Sequence, residues 1–259
     1  MVIYHRVSST YPLIVASNRD ERSGRPSSPP SVLVERPRVI GGRDLKAGGT
    51  WMGVNAFGLW IGVANRSTAA LPEVTRRSRG LLCLDLLREE TSHDVWGKLG
   101  GLGLDDYNPL LLAVADREAG FVLGNGPDPG PWVMEPGMHV LTNGGFDQDG
   151  DPRSDRLREE LLIGMETDGT PTAQILARSL KDHGKDVTDA LCIHGPAGGT
   201  QSSTILALHQ DLRCSSYYYA GGPPCRTGYT DYSFLFPGAA PEGPGVTNRW
   251  GTDILGAHD

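Results

Sequence analysis

The pattern of this 259-residue chain predicts an α+β fold, with strands forming the core and helices packed outside it. Three observations predict it. Glycine and proline are abundant, at 35 and 19 residues, which suits many short strands and tight turns better than long helices. Short apolar runs bounded by turn residues recur along the chain. Their order is strands, a helix pair, strands, helices and strands again.

Taken in order, Val2 to Val7 alternates and breaks at Ser8-Ser9-Thr10-Tyr11-Pro12, and Leu13-Ile14-Val15-Ala16 follows as a compact apolar run, giving an amino-terminal hairpin. Residues 18–31 hold charge, Ser and Pro without periodicity, so Asn18-Arg19-Asp20-Glu21 is expected where a buried strand emerges into a loop. Residues 48–65 form a second hairpin turning at Phe57-Gly58. Leu81, Leu82, Leu84, Leu86 and Leu87 lie between charges in an amphipathic helix over 76–90, and 93–99 adds a short one. Strands follow at 110–115, 120–123 and 138–142. Helices at 154–163 and 172–180 each begin on a Ser/Thr-type cap, and 203–209 with 212–220 closes as a hairpin. Neither a linker nor a repeat divides the chain, so residues 1–259 read as one domain, with a loose carboxy-terminal tail over 237–259.

Charge and hydropathy exclude several classes. The net charge is −7 and the longest basic cluster is Arg76-Arg77-Ser78-Arg79, which argues against nucleic-acid binding. No apolar stretch approaches the roughly 20 residues needed to cross a bilayer, and no secretory layout opens the chain. A cytoplasmic protein is expected. Cys83, Cys192, Cys214 and Cys225 are scattered, and they read as reduced structural thiols with no metal site.

Three segments resemble one family in the right order. Ala16-Ser17-Asn18-Arg19-Asp20-Glu21 matches the signature of the NRDE family (transport and Golgi organisation 2-like), and Gly48-Gly49-Thr50-Trp51-Met52-Gly53 and His139-Val140-Leu141-Thr142-Asn143 look like its next two blocks. A more distant likeness runs to the choloylglycine hydrolase and penicillin V acylase branch of the N-terminal-nucleophile (Ntn) hydrolases. It is carried by Gly53 through Asn65 and by Leu141-Thr142-Asn143-Gly144-Gly145-Phe146-Asp147. The resemblance implies a four-layer αββα sandwich of two antiparallel sheets with helices outside.

In an Ntn hydrolase the first residue of the mature chain supplies both nucleophile and base, because its free amine takes the proton from its own side chain. A carboxylate orients the amine and amide donors hold the oxyanion. By resemblance Asp20 takes the first role, and Asn65 and Asn143 take the second or help seat the amine. Asn18, Arg19, Trp51 and Asn55 are expected to contact substrate. The residues themselves leave alternatives open: Asp20 can equally cap a loop, Asn65 and Asn143 can simply end strands, and Arg19 with Glu21 reads better as a loop-building ion pair. His139 reads as a hydrogen-bonding core histidine rather than a base.

The sequence also departs from the pattern. Gln201 stands where the late GTRSST-type block carries Arg, which removes a bidentate cation. Ser17 stands where the bile-salt hydrolase branch has Arg. Members of the family usually begin Met-Cys-Thr ahead of the first strand, whereas this chain reads Met1-Val2-Ile3, and Val2 carries no nucleophile. Two functions follow from the resemblance. One is a protein binding or trafficking haem or an acyl-lipid ligand in an Ntn-type pocket, for which no cofactor is required and His5, His139 or Tyr and Cys side chains would be axial candidates for haem, although the chain has no Cys-x-x-Cys-His motif. The other is an amidohydrolase acting on a non-peptide C–N bond, if the native chain starts at an upstream Cys. The expected partner is a small-molecule ligand or substrate, and oligomeric state is left open.

Overall fold

The computed structural model describes residues 1–68, 72–126, 129–162, 170–238 and 254. It holds two antiparallel sheets, each with a helix pair, and divides into two compact units. The expected α+β class holds. Most of the expected tail lies outside the described residues, although Ile254 packs against the core of the first unit.

The first unit contains Met1–Gly24, Met138–Val140 and Asp147–Asp259. Its strands are β1 (Val2–His5), β2 (Leu13–Arg22), β10 (Gly137–Val140), β11 (Gly198–Leu208), β12 (Ser216–Ala220) and β13 (Thr230–Asp231), in the order β10-β1-β2-β11-β12-β13. The register sets Val2 opposite Ala16, Ala16 opposite Ile205 and Ile205 opposite Tyr218. Alternation along each strand therefore gathers Val2, Tyr4, Ile14, Ala16, Ile205, Ala207, Tyr218 and Ala220 on one face. Helices α3 (Pro152–Leu162) and α4 (Ala173–Ser179) pack Leu157, Leu161, Leu176 and Ala177 into the same cluster.

The second unit contains Arg25–Gly137 and Leu141–Phe146. Its strands run in sequence order: β3 (Ser27–Glu35), β4 (Arg38–Asp44), β5 (Met52–Asn55), β6 (Trp60–Asn65), β7 (Leu110–Ala115), β8 (Gly120–Gly124) and β9 (Trp132–Val133). Val39, Ile61, Leu112 and Val114 form a core with Leu82, Cys83 and Leu86 of α1 (Arg79–Leu86) and Val95 and Leu99 of α2 (Ser92–Leu99). Every residue of β7 is buried, which accounts for its unbroken apolar run.

All four expected helices are present. The Thr91 hydroxyl accepts from Asp94 N in a capping box that opens α2, and Thr172 accepts from Ile175 N to open α4. The start of α3 differs from expectation: Asp151, not Ser154, caps it by accepting from Ser154 N at 2.8 Å, and Pro152 takes the first helical position, where its missing N–H costs nothing.

The larger correction lies between residues 18 and 31. The expected loop is instead the end of β2 and the start of β3, and Asn18-Arg19-Asp20-Glu21 lies inside a strand. Pairing with β11 along the whole of β2 satisfies a backbone whose side chains look loop-like. Among the described residues no helix is long and apolar enough to cross a membrane.

The turn at Gly48-Gly49 has a specific packing cause. A Cβ on Gly49 would lie 2.2 Å from the backbone carbon of Gly80 at the start of α1, and Thr50 N donates to Gly80 O across the same contact at 3.0 Å. Gly49→Ala is therefore expected to cost about 1–3 kcal/mol through overpacking against backbone. Urea unfolding should give a lower midpoint at unchanged slope; an unaltered midpoint would show that the contact is not this close.

Candidate functional site

In the first unit the site grows out of the β2–β11 register. Thr200 stands opposite Asp20, and its hydroxyl donates to Asp20 Oδ1 at 2.7 Å. Thr200 Oγ1 also accepts from Ile193 N at 3.0 Å, so the hydroxyl is used in both directions. Ser202 pairs with Arg19, which leaves Gln201 as the extra residue of a bulge whose side chain turns back onto Gly199 O. Bulges re-aim side chains next to functional sites, and this one faces the acidic end of β2.

The Met1 amine is buried within electrostatic reach of Asp20, together with Asp151 and Arg153 from the start of α3. Burial lowers the amine to about 6, with Asp20 pulling the other way. Asp20 retains a solvent-accessible side but is crowded by protein. That desolvation raises its carboxyl pKa, against the opposing pull of the Thr200 hydroxyl, Arg153 and the amine. Chemically the cluster is a carboxylate fixed by a hydroxyl, beside an amine able to act as a base near neutral pH. Val2 contributes no functional group; its side chain is fully buried in the core of the unit.

Asn65 and Asn143 lie in the second unit, and the structure brings them together. The Asn143 amide donates to Asn65 O at 2.6 Å, and Ser67 N returns a bond to Asn143 O at 2.8 Å. The contact uses the Asn65 backbone, and the Asn65 side chain stands exposed at the end of β6.

The residues expected to contact substrate take mainly structural positions. The Asn55 amide donates to Leu87 O and Glu89 O, at 3.0 and 2.6 Å, while its oxygen accepts from Phe57 N and Leu59 N. Its side chain thus closes the β5–β6 turn and holds the end of α1. Asn18 donates to Leu180 O and Leu191 O, both at 2.8 Å, tying two ends of a loop to β2. Arg19 lies 3.8 Å from Glu21, the ion pair the sequence suggested. The Trp51 ring covers Gly42, where a Cβ would come within 2.3 Å of it. His139 is a hydrogen-bonding histidine, as expected: its Nδ1 lies 2.6 Å from Asp147, which also pairs with Arg158. Burial opposes ionisation of Asp147, yet the bonds from His139 and Val140 hold its carboxyl below the usual range.

The family model for Transport and Golgi organisation 2 matches residues 1–217. The chain belongs to this family. The human Transport and Golgi organization protein 2 homolog is 27% identical over 233 residues, covering 78% of this chain and 84% of the human protein. The Bos taurus homolog is 25% identical over 264 residues, covering 87% and 93% respectively. Among solved structures, the N-acylethanolamine-hydrolyzing acid amidase ortholog of Caenorhabditis elegans superposes with a TM-score of 0.57 at 15% identity, covering 79% of this chain and 91% of that one. Penicillin V acylase from Agrobacterium tumefaciens gives 0.50 at 12%, covering 91% and 88%. The fold of this family member is therefore Ntn-hydrolase-like.

Thr200, Asp151 and Arg153 were not singled out from sequence. Thr200 begins the late family block, so its place was visible although its pairing with Asp20 was not. Asp151 and Arg153 lie just ahead of the helix expected over 154–163 and were given no role. A further group, at His183, Cys192, His194 and Cys225, is also brought together by the structure.

The buried amine predicts a pH dependence. Its folded value of about 6 lies below its ordinary 8.0, so between these values the unfolded chain binds more protons and stability rises with pH. The contribution is complete above about pH 8 and lost as pH falls through about 6; it amounts to about 2–3 kcal/mol. Urea titrations at pH 6, 7 and 8 on a chain with Met1 retained should show this slope, and α-amino acetylation should abolish it. Equal slopes before and after acetylation would contradict the buried, neutral amine.

Proposed function

We propose that this family member binds an amphipathic acyl-type small molecule non-covalently, with the Asp20 cluster as the polar anchor. The observation that carries the reading is the polar cluster at the end of β2, where the Thr200 hydroxyl fixes the Asp20 carboxylate within electrostatic reach of a buried amine. A fixed carboxylate beside an amine offers both an acceptor and a basic group to an amide or hydroxyl head group. Two solved structures of the same fold are named for amides they hydrolyse, an N-acylethanolamine and penicillin V, and this supports an acyl amide as ligand chemistry. Haem is the other ligand suggested by the family resemblance. It is less well supported, because His5 is fully buried in β1 and His139 Nδ1 is taken by Asp147. A cytoplasmic location fits this reading.

A second reading, an amidohydrolase, is favoured by one observation. The Asp20 carboxylate, held by the Thr200 hydroxyl at the end of β2, is the group that would orient the amine of an amino-terminal Cys preceding β1. Mass spectrometry of the native amino terminus decides between the two: a mature chain beginning at Cys supports hydrolysis, and one beginning at Met1 or Val2 leaves binding.

Calorimetric titration with a long-chain N-acylethanolamine, and separately with haem, tests the binding reading. Saturable binding of the acyl amide without release of ethanolamine is expected. Asp20→Asn should weaken it roughly tenfold or more through loss of a charge-assisted hydrogen bond. Absence of saturable binding, or equal affinity in Asp20→Asn, would overturn the proposal.

A further inference from the structure

We propose that His183, Cys192, His194 and Cys225 form a tetrahedral Cys2His2 site for a zinc-type divalent cation, with a structural role in the first unit. The ligand atoms of all four side chains lie within 4.8 Å of one another. Cys192 Sγ and Cys225 Sγ are 3.6 Å apart, Cys225 Sγ lies 3.2 Å from His194 Nε2, and Cys192 Sγ lies 3.8 Å from the same nitrogen. An ion with zinc–sulfur bonds of about 2.3 Å and zinc–nitrogen bonds of about 2.0–2.1 Å at tetrahedral angles separates two sulfurs by about 3.8 Å, and sulfur from nitrogen by about 3.6 Å. The spacings among Cys192, His194 and Cys225 fall within about 0.4 Å of these values, and a rotation of the His183 side chain, whose ligand nitrogen lies within 4.8 Å of the other three, closes the fourth position.

Two rival explanations fit less well. A disulfide needs sulfurs about 2.05 Å apart, and both cysteines are free thiols. A simple hydrogen-bonded cluster would converge four weakly matched donors and acceptors on one point, whereas a cation satisfies all four at once. Two thiolates and two neutral imidazoles balance a divalent charge, leaving a neutral centre suited to a half-buried position. Soft sulfur and imidazole donors select zinc over magnesium or calcium. With four protein ligands the coordination sphere is closed, which marks a structural rather than a catalytic ion.

The surrounding backbone is already organised for this role. Asp182 O accepts from Leu191 N at 3.1 Å and from Cys192 N at 2.8 Å, which holds the His183 turn against the Cys192 segment. Asn18 fastens both ends of that loop through Leu180 O and Leu191 O. The His183 and His194 rings stack with centroids 5.1 Å apart. Cys225 comes from the link between β12 and β13, so the ion would join three segments that carry little regular structure of their own. Cys192 is buried and both histidines are exposed, which leaves a path by which the ion enters. Ile193, between two of the ligands, exchanges backbone and hydroxyl bonds with Thr200, so the same ion would brace the residue that holds Asp20.

The test is the zinc content of the whole chain, purified under reducing conditions, stripped with chelator, reloaded with Zn2+ and freed of excess metal. One zinc per chain is expected for the wild type and for Cys214→Ser, whose thiol lies outside the cluster. His183→Ala and Cys225→Ser should each weaken retention against a competing chelator by at least the roughly 10–100-fold seen when outer-shell partners are lost. Negligible metal in the wild type, undiminished retention in both ligand variants, or a Cys192–Cys225 disulfide by intact mass in the reduced preparation would overturn the site. Should the variants fail to fold, Co2+ loading of the wild type decides. Intense four-coordinate visible bands with thiolate charge transfer support the proposal, and a weak octahedral spectrum overturns it.

Discussion

The pairing of β2 with β11 is the constraint on which the candidate site depends. Ten residues of β2, from Leu13 to Arg22, run antiparallel to β11. At one end this pairing builds core, with Ile14 and Ala16 set against Ala207 and Ile205. At the other it sets Thr200 on Asp20 and expels Gln201 into a bulge. A one-residue slip would turn Asp20 to the opposite face and bury the wrong side chains, so the hydrophobic pattern that fixes the core also fixes the site. Fold and chemistry share one register.

Three chain segments meet there, one of them more than a hundred residues from the other two. The first residue brings an amine, β2 brings a carboxylate and the start of α3 brings Asp151 and Arg153. Burial pushes both amine and Asp20 towards their neutral forms while each favours the other's charge, an opposition typical of sites that manage protons. Val2 is buried among Tyr4, Ala16 and Leu157 and serves packing. Anchoring a ligand demands less of this cluster than cleaving one.

Much of the architecture was legible in the sequence. The helices declared themselves through amphipathic spacing and caps such as Thr91 and Thr172, and β7 through its apolar run. The end of β2 and strands β3 and β4 did not, because Asn18 to Arg22 and the Pro-containing stretch after Ser27 have loop-like composition and become strands only through partners. For β2 that partner lies about 180 residues away in sequence. Family resemblance located Asp20 but could not separate roles among the asparagines. Asn55 and Asn18 spend their amides on backbone carbonyls, a use that composition and motif spacing do not reveal. The His183, Cys192, His194 and Cys225 group was hidden for a similar reason. Only the Cys-x-His pair is local, and the other two ligands arrive through tertiary contacts.

The central claim is that the β2–β11 register holds Asp20 as a desolvated carboxyl steadied by Thr200. Carbon-13 detected titration of the Asp20 carboxyl, in the wild type and in Thr200→Val, tests it most directly. The account predicts that Asp20 titrates above the ordinary aspartate range and moves higher still when the Thr200 hydroxyl is removed. An Asp20 that titrates at its ordinary value, or that ignores the loss of the hydroxyl, would contradict it.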